Sequence, residues 1–159
     1  RIKISDLFKR IVGERHKNTG NIGKALIQGY GFKGGAMGIS VAHDSHNIIL
    51  LGDDNASLKK AVDELVRIGG GMVLVDKTKN EIHSVPFDIA GLMSSRDSAS
   101  VQAASKALAD KAYAMGVDKN KEAFFSLTFL SLAVIPHLRL VDKGLFDVLK
   151  FDFVPLEVE

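Results

Sequence analysis

The sequence contains no cysteine and no tryptophan, and only 3 prolines among its 159 residues. Without cysteine there is no disulfide framework and no thiolate metal site, which fits a reducing compartment, and a cytoplasmic location is the expectation. No stretch reaches about 18 uninterrupted apolar residues, the length a helix needs to span a bilayer, and the amino-terminal RIKISDLFKR has no signal-peptide core. Neither membrane insertion nor export is expected. Charge of one sign is missing too. The 21 lysines and arginines stand against 19 aspartates and glutamates, a formal net charge of +2 with no basic block, so a nucleic-acid backbone is not an expected partner. No repeat, low-complexity tract or linker divides the chain. Arg1 stands where an initiating methionine would, and a piece cut from something longer is expected.

What is present suffices for a core: 46% of residues are hydrophobic, and the length suits one domain spanning 1–159. The stretch Ser40–Gly52, SVAHDSHNIILLG, organises the reading. It sets five polar residues (His43, Asp44, Ser45, His46, Asn47) between two apolar runs, Met37–Val41 and Ile48–Leu51, both read as strands. The polar pentad is then a turn or a strand tip. If Asp44-Ser45 is a two-residue hairpin tip, His43 and His46 face each other with Cβ atoms about 5 Å apart. If the segment stays extended, only Asp44 and His46 share a side.

Around this stretch the periodicities differ. Ile11 to Gly35 carries short apolar pieces between glycines, read as two strands. Its glycines are too irregular for a dinucleotide fingerprint, and Lys33-Gly34-Gly35 is not followed by the helix start that a phosphate cradle needs. Asp53-Asp54-Asn55 supplies capping residues for a helix with apolar positions Leu58, Ala61, Val62, Leu65 and Val66. Gly69-Gly70-Gly71 ends it, and Met72–Val75 and Glu81–Phe87 read as strand, turn, strand. A second helix is predicted from Ser98 to Met115, with Gly116 as terminator. Phe124–Ile135 has the length of a buried helix, although its phenylalanines would also suit a central strand. Strand pieces are expected over Leu138–Val158. The fold class is α+β, or mixed α/β, with a mixed, largely antiparallel sheet and helices packed on it.

SVAHDSHNIILLG, together with ELVRIGGGMVLV, PFDIAGLMS and SLTFLSLAVIPHLRLVDKGLFDV, resembles the C-terminal domain of bacterial adenine deaminases, metal-dependent members of the amidohydrolase superfamily. The resemblance covers roughly Gly13 to Phe153. It implies an upstream β/α-barrel in the same polypeptide, holding a divalent metal (manganese or iron), and hydrolysis of adenine to hypoxanthine and ammonia in purine salvage. No stretch here matches the barrel's ligand motifs, so no catalytic residue and no bound cofactor is assigned to this chain, which by itself is expected to be inactive.

Three readings of the pentad follow. His43 and His46 could hold a metal with a further ligand from His16 or Glu14. Asp44 could orient a histidine and Asn47 close the turn in a structural cluster. The preferred reading aims the cluster at the barrel mouth or a domain interface, where it helps enclose the purine, with Glu14 and His16 as secondary candidates. Glu14-Arg15 is otherwise an exposed pair of small consequence. His83 receives no role, and His137 is read as capping a buried segment. Ser45 lacks the G-x-S-x-G frame of a nucleophile elbow. The alternative function is a non-catalytic small-molecule-binding or oligomerisation domain, and a homo-oligomer is compatible with the sequence.

Overall fold

Strand β1, Leu7–Gly13, alternates strictly: Phe8, Arg10 and Val12 are buried on one face, while Lys9 and Ile11 point to the other. A computed structural model describes residues 7–157. Two expectations therefore reach outside the described residues: the absence of a signal core across Arg1–Asp6, and the end of the tail at Val158. In the chain order that follows, β2 is Ile22–Gln28, β3 Gly35–Ile39, β4 Ile48–Gly52, α1 Asn55–Arg67, β5 Gly71–Asp76 and β6 Glu81–Pro86. These strands make one sheet in the order β2-β1-β4-β3-β5-β6. Every neighbouring pair in it is antiparallel, so the sheet is more uniform than the mixed one expected.

Helix α1 covers one face of this sheet. Asp54 is its cap, accepting from the Ser57 amide at 2.8 Å and from the Ser57 hydroxyl at 2.9 Å. Asn55 is instead the first helical residue, and its Oδ1 accepts from Lys9 Nζ. Leu58, Ala61 and Leu65 pack on Ala36, Leu50, Val73 and Val75. Val66 stays 68% exposed, because the apolar stripe set by Leu58, Ala61 and Leu65 leaves that position on the far side of the helix. Gly52 permits the approach, since a Cβ there would lie 2.9 Å from the Leu58 side chain.

The opposite face carries the larger core, including Phe8, Val12, Met37, Ile39, Ile49, Leu51, Met72 and Leu74. Helix α2, Ser98–Ala114, is capped by Asp97 and seats Leu108 and Ala112 there, as the sequence predicts to within a residue. No described helix is long and apolar enough to cross a membrane.

The segment Phe124–Ile135 is neither the long buried helix nor the central strand expected. Only Phe125–Phe129 is helical (α3), and turns follow it. Partners from elsewhere in the fold and neighbouring hydroxyls claim the carbonyls that a longer helix would use. The Leu130 carbonyl accepts from Arg10 Nη1 at 2.9 Å and from the Leu140 amide at 3.2 Å, and no helical hydrogen bond continues from it. Thr128 and Ser131 also turn their hydroxyls back onto the Phe125 and Thr128 carbonyls. The tail does form strand pieces: β7 (Leu138–Val141), β8 (Gly144–Asp147) and β9 (Asp152–Val154) make a second antiparallel sheet. That sheet lies against β2 at Gly23, where any Cβ would collide with the Val141 carbonyl. The architecture is α+β.

Candidate functional site

The pentad lies on the loop Ser40–Asn47, which joins the antiparallel neighbours β3 and β4. A two-residue hairpin tip does not form, and the segment is not extended either. A tight turn closes inside the loop instead: the His46 amide donates to the Ala42 carbonyl at 2.8 Å, and His46 Nδ1 accepts from the Ala42 amide at 3.3 Å. The His46 ring is thus folded onto its own loop, with φ at +48°. The His43 ring lies 5.1 Å, centroid to centroid, from the ring of Phe129 on α3. With each ring engaged elsewhere, the two imidazoles do not act as an opposed pair.

At the tip, His43, Asp44 and Ser45 are exposed, His46 is half-buried and Asn47 is buried. The Asn47 amide donates to Ser45 Oγ at 3.4 Å, which closes the turn from its far side. Among the described residues Asp44 has no hydrogen-bond or ion-pair partner. The backbone is fixed, and the side chains of His43, Asp44 and Ser45 are exposed to solvent.

The segment after β1 supplies the fixing. His16 Nε2 lies 2.9 Å from the Ser45 carbonyl and 3.2 Å from the His46 carbonyl, and because both are acceptors the ring must present Nε2–H. Arg15 donates through Nη1 to the Ser40 carbonyl at 3.4 Å and through Nη2 to the Ala90 carbonyl. Glu14 does not pair with Arg15. Its carboxylate accepts from the amides of His16, Lys17 and Thr19 and from the Thr19 hydroxyl. These donors, the Thr19 amide foremost, hold the Glu14 carboxyl down at about 2. Glu14 organises its own loop and turns no oxygen to the pentad.

Under the loop sits Ser40, fully buried. Its hydroxyl donates to the Gly91 carbonyl at 2.6 Å and accepts from the Gly71 amide at 2.7 Å. Three loops, after β1, after β3 and after β6, thereby converge at one end of the sheet. The set His43, His46 and either His16 or Glu14 does not assemble as metal ligands: among the described residues no three histidine, aspartate or glutamate side chains form a group that could hold an ion.

Comparison with known proteins decides the family. The family model described as the adenine deaminase C-terminal domain matches residues 2–152. The chain belongs to the adenine deaminase C-terminal domain family. It is 49% identical over 153 residues to "Adenine deaminase 2" of Desulfotalea psychrophila, covering 96% of this chain and 26% of that protein. It is 44% identical to an adenine deaminase of Methanothrix thermoacetophila, over 98% of this chain and 27% of the relative. The adenine deaminase of Bacillus subtilis is 40% identical over 96% of this chain and 26% of its own length. The chain spans about a quarter of the curated relatives it matches.

In this adenine deaminase C-terminal domain, then, the residues singled out divide into a tip and its anchors. His43, Asp44 and Ser45 can donate to or accept from a partner, while His16, Arg15 and Ser40 hold backbone. Arg15 and Ser40 carry no sequence signal as anchors, because their partners, the carbonyls of Ser40, Ala90 and Gly91, are backbone atoms brought in from distant segments. Two further histidines stand apart. His83 pairs with Glu81 at 2.9 Å beside a cleft of about 490 Å³ at the other end of β5. His137 is exposed rather than capping a buried segment, and its carbonyl accepts from Val148. Lys33-Gly34-Gly35 offers no phosphate cradle, since the Gly34 amide donates to Asp53 and the Lys33 amide to Met115.

Proposed function

We propose that this domain completes a cytoplasmic, metal-dependent adenine deaminase whose catalytic barrel lies upstream in the same polypeptide, and that the loop Ser40–Asn47 faces that barrel and helps enclose the purine. The observation that carries the reading is the contrast within the loop. Its backbone is clamped by His16, Arg15 and Ser40, while His43, Asp44 and Ser45 stand exposed at its tip. Rigidly held polar groups suit the orientation of a ligand, because little ordering entropy is lost when they engage it.

The reaction is hydrolysis of adenine to hypoxanthine and ammonia. The divalent metal, manganese or iron, belongs to the barrel; among the described residues of this domain, no three donor side chains gather into a ligand set. This domain contributes enclosure and orientation. Family membership and the share of about a quarter of each relative's length support the division of labour.

The test is ammonia release from adenine. The 159-residue chain supplied with manganese or iron releases none above background, while the longer polypeptide that includes it is active. Activity of the isolated chain, proportional to protein, would refute the reading.

A further inference from the structure

The six-stranded sheet is bare over part of one face. Phe8, Arg10 and Val12 of β1 turn to the larger core with Ala25 and Ile27 of β2, so Lys9, Ile11, Ile22, Lys24 and Leu26 share the opposite face, the one on which α1 lies. Helix α1 packs there on Ala36, Leu50, Val73 and Val75, which belong to β3, β4 and β5. At its margin Asn55 accepts from Lys9 Nζ at 2.8 Å, and Ile11 is half-buried. Past that margin Ile22 is 55% exposed and Leu26 56%. The solvated face of an antiparallel sheet is ordinarily polar, and large aliphatic side chains on it mark a surface that meets a partner.

A groove of about 430 Å³ runs beside this face, with Lys9, Ile11, Lys24, Leu26, Asn55 and Leu156 among its walls. No carboxylate lines it, and among the described residues neither Lys9 nor Lys24 enters an ion pair. Charge and chain length decide what covers it. A second copy set face to face would bring Lys9 and Lys24 against their own counterparts, with no acid in the wall to answer them. In the relatives, by contrast, about three quarters of the length lies outside the matched part. A C-terminal domain joins what precedes it through its amino-terminal side, and β1, half of the bare face, is the first described strand.

We propose that the β1–β2 face is the docking surface for the upstream part of the longer polypeptide, which lays an apolar ridge over Ile11, Ile22 and Leu26 and brings carboxylates to Lys9 and Lys24. The apolar ridge supplies the contact area, and the charge pairs fix its register on the sheet. Ile22 pairs with Gly13, directly before the segment whose His16 holds the loop Ser40–Asn47, so one partner reaches both this face and the loop. The inference rests on the upstream catalytic part proposed above, and not on the enclosing role of the loop.

The experiment is lysine acetylation by the N-hydroxysuccinimide ester of acetic acid, read by peptide mass spectrometry, in the 159-residue chain and in the longer polypeptide. Lys59 and Lys106, exposed on α1 and α2, serve as internal references. The expected result is that Lys24, relative to those two, reacts at least tenfold more slowly in the longer polypeptide than in the 159-residue chain. Carbodiimide coupling of the longer polypeptide should then join Lys9 or Lys24 to an aspartate or glutamate upstream of this domain. Equal acetylation of Lys24 in both proteins overturns the proposal. So does protection of Lys24 in the 159-residue chain that grows with protein concentration, which would assign the face to a second copy. Protection in the longer polypeptide with neither lysine coupled to an upstream acid overturns the charge pairing. Both readouts use unaltered chains and need no catalysis, so their failure is distinct from failure of the ammonia-release test.

Discussion

His16 Nε2 lies 2.9 Å from the carbonyl oxygen of Ser45, so a residue just past the end of β1 holds the tip of the loop between β3 and β4. Replacing His16 by alanine removes that donor and leaves two partly exposed carbonyls to water. The expected cost is about 0.5–1.5 kcal/mol of stability. Hydrogen exchange over residues 42–47 should rise while exchange in β5 stays unchanged. Equal acceleration in both would mean that His16 supports the whole sheet and not the loop.

Ser40 is the more costly anchor. Its hydroxyl serves the Gly71 amide and the Gly91 carbonyl, both buried, and Ser40→Ala orphans the two together. The expected loss is roughly 1–3 kcal/mol by chemical denaturation. A variant as stable as the parent would show that water replaces the hydroxyl at no cost.

Leu58 and Leu65 are core residues of α1, 3% and 1% exposed. Truncating either to alanine should cost about 2–5 kcal/mol, visible as a lowered melting temperature. Val66→Ala, on the exposed side of the same helix, should change stability by less than about 0.5 kcal/mol. A similar loss for all three would contradict the orientation assigned to α1.

The Glu14 carboxylate stabilises its loop in a pH-dependent way. Backbone donors lower its folded-state pKa from 4.5 to about 2, so between those values the unfolded chain binds more protons than the folded one. The contribution is complete above about 4.5, declines as pH falls, and is gone below about 2. The gap in melting temperature between the parent and Glu14→Gln should therefore narrow as the pH is lowered through that window. A gap independent of pH would assign the effect of the substitution to something other than charge.

Much of the fold is legible because α1, α2 and the β5–β6 hairpin are local structures, marked by Asp54, Gly116, Gly69-Gly70-Gly71 and their own periodicities. Phe124–Ile135 misleads because its apolar run is interrupted by a tertiary competitor: Arg10 and Leu140 claim the Leu130 carbonyl, and no local pattern encodes that. The loop shows a similar division. His43–Asn47 stands out as a polar island, while the turn that sends His46 back to Ala42 and His43 towards Phe129 depends on backbone geometry and on α3. From sequence Glu14 reads as available to the cluster, because the sequence cannot show that three amides of its own loop occupy it.

The enclosing role of the loop is tested most directly by the steady-state kinetics of His43→Ala in the longer polypeptide, with metal content measured on the same preparation. The account predicts unchanged metal content and a kcat/KM for adenine lowered roughly five- to hundred-and-fifty-fold, the equivalent of about 1–3 kcal/mol for one positioned hydrogen bond. Parental kcat/KM in a variant that retains its metal and its melting temperature would contradict it.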